Sequence, residues 1–159
     1  MLSTLLVLIS FVTIGETCVA TSAPTTATTR TTTTTTTTMA CCSVLTTTTL
    51  PRMAPSGTGH EQCSILKRVS SSCPTTGLVL CDAAQETNPA SVLIQFFNSA
   101  GTVVRSFSEE GDSVAATVTC VNGVWQIENT SGTWVTISSV SCSQSGSVGT
   151  DLGTVIEES

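Results

Sequence analysis

The chain has few charged and few aromatic side chains for its length. Charged residues make up 10% of the 159 positions and aromatic residues 4%, and tyrosine does not occur. The five basic residues form no cluster, and the formal net charge is −6. Phosphate binding requires clustered lysine and arginine, so this composition argues against nucleic acid as a partner. An anionic membrane surface is disfavoured for the same reason.

Catalytic and metal-binding groups are also scarce. His60 is the single histidine, and no Gly-x-Ser-x-Gly elbow or phosphate-binding loop accompanies it. A nucleophile, a base and an orienting group therefore cannot be assembled from recognisable motifs. Zinc is not expected because no CxxC pair occurs. The acidic turn at 109–112 has oxygen ligands suited to calcium, but such charges ordinarily keep a turn hydrated. We expect no catalytic residues, no metal and no cofactor, and thus no enzyme.

The first twenty residues have the pattern of a secretory signal peptide. Residues 1–14 are mostly apolar, a length typical of a signal h-region and too short for a comfortable membrane span. Small residues at Cys18 and Ala20 predict cleavage after Ala20. No second apolar run of spanning length follows, so we expect a secreted, extracellular protein with no membrane span in the mature chain.

Residues 21–55 form a threonine-rich, low-complexity segment with two unbroken threonine runs, 31–38 and 46–49. Threonine hydroxyls cannot bury enough apolar area to offset chain entropy, so we expect a disordered, mucin-like segment. In a secreted chain this composition suits O-glycosylation, and the alternative is an unmodified linker. The candidate O-glycosylation sites are Thr31, Thr32, Thr33, Thr34, Thr35, Thr36, Thr37 and Thr38.

Eight cysteines in a short chain with a signal peptide indicate disulfides. Cys18 leaves with the signal peptide, and the disulfide candidates are Cys41, Cys42, Cys63, Cys73, Cys81, Cys120 and Cys142. This odd number predicts one free thiol or a bond to another chain, and hence a disulfide-linked dimer. Adjacent cysteines rarely bond each other, so Cys41 and Cys42 should have separate partners in the folded part.

Residues 56–142 are predicted to be a cysteine-rich β domain into which Cys41 and Cys42 are bonded, and 143–159 a polar C-terminal tail. Short β-prone runs alternate with turn residues, a pattern typical of an antiparallel sandwich or barrel. The fold class is therefore all-β: a small disulfide-stapled antiparallel β-sandwich preceded by a disordered threonine-rich segment. The strands are expected near 77–81, 91–97, 102–107, 113–121, 124–128 and 133–140.

Asn122-Gly123 is the strongest local signal, because both residues tolerate the positive φ of a two-residue hairpin turn. The turn places Cys120 opposite Trp125 and continues the pairing as far as Val118 and Ile127. Alternation then sends Val118, Cys120, Trp125 and Ile127 to one buried face. We expect Cys120 to bond either Cys142 or Cys81, with Trp125 packed against the bridge. In 133–140 the alternation is weaker, and we interpret the break as a bulge.

The segments 80–81, 116–125 and 137–142 resemble the six-cysteine extracellular domain of nematode secreted proteins, in which a cysteine-ended strand is followed by a tryptophan strand and a final Val-Ser-Cys. The match covers roughly 41–142 and is most specific in its last third. The resemblance implies a fold and an extracellular address but no activity. In it Cys41 and Cys42 stand for the family's first cysteines, while Cys63 and Cys73 compete for a single position.

Asn129-Thr130-Ser131 fits the N-glycosylation rule and lies between two expected strands, where transfer is sterically easy. Our first hypothesis for function is a secreted extracellular structural or interaction module. The alternative is a carbohydrate- or protein-binding module using the loops of the sandwich, with Trp134 as the contact if it points outward. A hydrolase is the third and least favoured class. The expected partner is an unknown extracellular protein or glycan.

Overall fold

The structure, a computed structural model, describes residues 40–62 and 64–148 and the backbone of 156–158. These residues form β-strands and no helix, so no helix among them could span a membrane. The strands are β1 Ser64–Ser70, β2 Thr76–Ala83, β3 Ser91–Phe97, β4 Val103–Glu110, β5 Ser113–Val121, β6 Val124–Glu128, β7 Trp134–Thr136, β8 Ser139–Ser145 and β9 Ile156–Glu158. The predicted signal peptide, the Thr31–Thr38 sites and Cys63 lie outside the described residues.

The strands form two sheets, which confirms the all-β prediction. The larger sheet has the order β7-β6-β5-β2-β1-β9, and the smaller has the order β4-β3-β8. Neighbouring strands are antiparallel except β1 and β9, which are parallel. Apolar side chains of both sheets share one core, in which Leu66 and Val79 of the larger sheet pack with Ile94 and Phe96 of the smaller.

The β5–β6 hairpin forms around Asn122 and Gly123, whose φ values are 52° and 79°. Its register places Cys120 opposite Trp125, as the turn residues predict. Trp125 and Ile127 are buried, and the side chains of the other face, such as Thr117 and Glu128, are exposed. The ladder ends at the pair Thr119–Gln126, one pair earlier than predicted.

The predicted strand at 133–140 is two strands that belong to different sheets, so the interpretation as a bulge was wrong. The Ile137 N–H donates to the Trp125 carbonyl of β6, in the larger sheet, at 3.0 Å. The next residue, Ser138, donates its N–H to the Phe97 carbonyl of β3, in the smaller sheet, at 2.8 Å. The chain therefore crosses between the sheets at this peptide, which explains the break in alternation.

β1 is a strand that the sequence pattern did not reveal. Its inward positions include Ser64 and Arg68, whereas apolar Val69 is exposed, so the usual alternation is reversed there. The buried Arg68 donates Nε–H to the Leu50 carbonyl at 2.7 Å, and the Ser64 hydroxyl donates to the Cys142 carbonyl at 2.8 Å. Hydrogen bonds to backbone carbonyls make these polar side chains tolerable inside the domain.

The folded part includes residues 40–55, so the predicted start at residue 56 was wrong. Leu45 and Leu50 are 1% and 0% exposed and belong to the core. The threonine run between them forms a turn, in which the Leu50 N–H donates to the Thr46 carbonyl at 3.0 Å and the Thr46 N–H to Thr49 Oγ1 at 2.8 Å. The composition of the run is typical of a low-complexity linker, so it gives no sign that the leucines on either side of it are buried.

The predicted polar tail at 143–159 also contributes to the fold. β8 continues to Ser145, and Gln144 is fully buried, with Oε1 accepting the Ala84 N–H at 3.0 Å. β9 adds an edge strand to the larger sheet by pairing with β1. The polarity of this segment therefore gave the wrong boundary, because its side chains make hydrogen bonds inside the domain.

Three disulfides pair the six cysteines that the structure describes. They join Cys41 to Cys73, Cys42 to Cys120, and Cys81 to Cys142. The adjacent cysteines have separate partners, as expected, but the predicted bond from Cys120 to Cys81 or Cys142 was wrong. The reason is the placement of the N-terminal segment, which runs beside the β5–β6 hairpin: the Ser43 carbonyl accepts the indole N–H of Trp125 at 3.0 Å.

The Cys81–Cys142 bond connects β2 of the larger sheet to β8 of the smaller, and both cysteines are fully buried. Arg52 reinforces the same region, since its guanidinium donates to the Cys142 carbonyl at 2.7 Å and to the Ser64 carbonyl at 3.1 Å. The two sheets are thus held together by a covalent bond and an adjacent polar contact as well as by the core.

Candidate functional site

A groove of ≈ 620 Å³ opens beside β5, β6 and β7. This volume falls within the range of roughly 300–1,000 Å³ that holds small ligands. Its lining combines one cation, one anion, aromatic rings and small polar side chains. The lining residues are Arg105, Phe107, Ala115, Ala116, Thr117, Thr119, Ile127, Glu128, Asn129, Thr130, Gly132 and Trp134.

The groove exists because the β5–β6 ladder is short. Beyond the pair Thr119–Gln126 no register joins the two strands. Residues on either side of this gap, including Thr117 of β5 and Ile127 of β6, line the groove. The early end of the hairpin ladder, which the turn residues alone do not predict, therefore creates the site.

The smaller sheet contributes Arg105 and Phe107 to the groove. They lie opposite Phe96 and Ile94 in the β3–β4 ladder, so they share the face of β3 that packs into the core. The Arg105 guanidinium carbon lies 4.9 Å from the centroid of the Phe107 ring, and Phe107 makes an edge contact with Phe96 at 6.3 Å between centroids. These contacts fix the position of the cation at the groove.

Arg105 has unused hydrogen-bonding capacity. Its Nε is buried and has no hydrogen-bond partner among the described residues. A buried donor without a partner is costly, and an ordered water would normally satisfy it. The sequence did not single out Arg105, because β4 of the smaller sheet and β5–β7 of the larger sheet line one groove only after the two sheets stack.

Trp134 is the exposed aromatic residue of the site. It is 48% exposed, whereas Trp125 is 6% exposed. Trp134 lies opposite Glu128 in the β6–β7 ladder, on the face that the hairpin register leaves outside the core. Trp134 therefore meets the condition of pointing outward, and its role as a contact residue stays a prediction.

Asn129 occupies the turn between β6 and β7 and lines the groove. Its N–H donates to the Thr133 carbonyl at 2.9 Å. Its Oδ1 accepts the N–H of Ser131 at 3.0 Å, the Ser131 hydroxyl at 2.7 Å and the N–H of Thr133 at 2.9 Å. The structure thus places the predicted N-glycosylation site in an ordered turn directly beside Trp134's strand.

His60 and the acidic turn at 109–112, which could have contributed catalytic or metal-binding groups, do not form a common site in the described part of the chain. His60 lies in the loop before β1 with a buried Nδ1 that has no partner among the described residues, and the neighbouring Glu61 carboxylate accepts the Ser147 hydroxyl. Glu109, Glu110 and Asp112 are exposed around a turn. Within the described part of the chain, no group of three or more His, Cys, Asp or Glu is placed to hold a metal ion.

The described residues form a two-sheet β domain that contains three disulfides and a mixed polar–aromatic groove beside β5, β6 and β7. Comparison with protein-family models, with curated proteins and with solved structures found no match.

Proposed function

We propose that this protein is a secreted extracellular structural or interaction module and not an enzyme. The observation that carries the proposal is the disulfide pattern, in which all six described cysteines are bonded within the domain. Such bonds persist in oxidising compartments and are rare in the cytosol. The apolar residues 1–14 and the small residues before position 21 support secretion.

The module is displayed at the end of a threonine-rich segment that carries O-linked sugars at Thr31–Thr38. The composition of that segment supports this part of the proposal, because threonine-rich secreted tracts are typical O-glycosylation substrates. The resemblance to the six-cysteine extracellular domain of nematode secreted proteins supports the same address. It stays a hypothesis, and the set Cys41, Cys42, Cys73, Cys81, Cys120 and Cys142 is the one we assign to the family's six positions.

A second candidate function is recognition of a carbohydrate or protein ligand through the groove. The observation in its favour is the half-exposed indole of Trp134, which lies opposite Glu128 and lines the same groove as the cation Arg105. An aromatic face with fixed polar groups around it suits the apolar and hydroxylated faces of a sugar ring.

Expression of the full chain in eukaryotic cells tests the first proposal. We expect protein in the medium that begins near residue 21, migrates above its polypeptide mass and yields the three disulfides on peptide mapping. Retention of the chain inside the cell, or a secreted product that keeps Met1 and has an unmodified mass, would contradict it. A glycan array with wild type and a Trp134→Ala control tests the second candidate, which fails if the two give the same signals.

A further inference from the structure

Two residues of the N-glycosylation sequence, Asn129 and Thr130, line the groove of this chain. Gly132 and Trp134 line the same groove. Trp134 lies opposite Glu128, the residue immediately before Asn129. From the spacing of paired strands, the backbones of Asn129 and Trp134 are within roughly 6 Å of each other. A sugar on Asn129 therefore begins within reach of the exposed indole.

The turn also fixes the orientation of the Asn129 side chain. Its Oδ1 accepts three hydrogen bonds from Ser131 and Thr133. In a planar amide Nδ2, the atom that carries an N-linked sugar, lies on the other side of the carbonyl carbon. The side chain is thus held by its oxygen while its nitrogen stays available, and the first sugar starts from a defined position instead of from a freely rotating side chain.

The chemistry of the groove matches the proximal sugars of such a glycan. The apolar C–H face of a pyranose can stack on the half-exposed indole of Trp134. The Arg105 guanidinium, which lines the groove, can donate to its hydroxyl and N-acetyl oxygens, and the Glu128 carboxylate can accept its hydroxyl protons. With one cation and one anion among its lining residues, the groove suits a neutral sugar better than a charged one.

We propose that the glycan on Asn129 folds back into this groove, with its first sugars stacked on Trp134. The inference rests on the proposed secretion of the chain, since N-linked sugars are added in the secretory pathway. It also specifies the occupant: in the glycosylated protein the groove holds the chain's own glycan, and an external ligand binds there only when Asn129 is unmodified.

The test uses the secreted full-length protein and four variants of the same site. Ser131→Ala removes the glycosylation signal but keeps Asn129, and Ser131→Thr is the matched control that keeps both. Trp134→Ala removes the stacking surface, and Trp134→Ala with Ser131→Ala completes a double-mutant cycle. Because the cycle compares the Ser131→Ala effect in two backgrounds, the loss of the Ser131–Asn129 hydrogen bond cancels.

Tryptophan fluorescence with acrylamide as quencher gives the first measurement. Trp134 and Trp125 are the two tryptophans of the chain, and Trp125 is buried. Quenching therefore reports mainly on Trp134. We expect it to rise roughly twofold from wild type to Ser131→Ala, since the glycan covers a face that is open in the bare domain. Ser131→Thr should stay at the wild-type value.

Thermal unfolding gives the second measurement. Loss of the glycan should lower Tm by about 4–8 °C in the wild-type background, the shift that one favourable contact produces in a domain of this size. In the Trp134→Ala background the loss of Tm should be clearly smaller, because only the Ser131–Asn129 hydrogen bond is lost there. Equal Tm losses in both backgrounds, or quenching that is the same with and without the glycan, would overturn the inference.

Two further outcomes separate this inference from the proposed function. A chain that is secreted without sugar on Asn129 overturns the inference alone. A chain that is retained in the cell overturns the proposed function and the inference together. Binding of an added oligosaccharide to the fully glycosylated wild type, lost in Trp134→Ala, would show that the groove is open and would also overturn the inference.

Discussion

Replacing Trp125 with alanine should be among the most damaging single changes in the domain. The indole is 6% exposed, belongs to the core, and donates Nε1–H to the Ser43 carbonyl at 3.0 Å. Truncating a buried aromatic side chain costs about 3–5 kcal/mol, because transfer energy is lost and a cavity remains. Ser43 is exposed, so water can replace the lost donor and the cavity dominates the cost. Small domains have roughly 5–15 kcal/mol in total, so the loss is a large fraction of the stability.

Urea unfolding followed by far-UV circular dichroism measures this effect independently of tryptophan fluorescence. Trp125→Phe is a matched control that keeps most of the buried ring and loses the hydrogen bond, for a cost of about 1 kcal/mol. Trp134→Ala, compared in protein without N-linked sugar, should cost within about 0.5 kcal/mol, as an exposed substitution does. If Trp134→Ala proves as damaging as Trp125→Ala, the assignment of the two faces of the hairpin is wrong.

Three other changes test the remaining contacts. Removing both Cys81 and Cys142 should cost about 4 kcal/mol by the chain-entropy estimate for their 61-residue separation, and a calorimetric loss under 1 kcal/mol would contradict it. Gly77→Ala should cost about 1–3 kcal/mol, because the added Cβ overlaps the Leu45 side chain; in a Leu45→Ala background the loss should shrink, and strict additivity would refute that contact. The six paired cysteines are already bonded within the domain, so the predicted covalent dimer should form through Cys63 and disappear on non-reducing gels in Cys63→Ser. A dimer that persists in this variant would exclude Cys63 as the source of the bond between chains.

The fold gives the groove a rigid frame, and binding of the chain's own glycan or of an external ligand would depend on it. The Cys42–Cys120 bond fixes the N-terminal segment to β5, and Cys120 lies opposite Trp125 in the hairpin that carries β6. β6 and β7 in turn position Glu128 and Trp134. The strand that carries Trp134 is therefore connected to the core through one hairpin and one disulfide. Little backbone conformational entropy then remains to be lost when a sugar stacks on the indole.

The sequence alone predicted the features of this protein that depend on neighbouring residues. Asn122-Gly123 specified the hairpin and its register, because these two residues adopt positive φ at little cost. The period-two alternation around that turn then separated buried Trp125 from exposed positions, since successive side chains of a strand point to opposite faces. The cysteine number indicated disulfides, and β-prone runs separated by turn residues indicated a β domain, without reference to any long-range contact.

The tertiary structure decided everything that depends on which distant segments meet. The crossing between sheets at Ile137–Ser138 and the burial of Arg68 follow from packing, which overrides the local polar pattern. The partner of Cys120 was decided by the course of the segment around Ser43, because a disulfide forms only where the backbone brings two cysteine sulfur atoms within bonding distance. The groove also depends on long-range packing. Arg105 of the smaller sheet and the β6–β7 turn of the larger sheet line one groove only once the two sheets stack, and no local propensity encodes this arrangement.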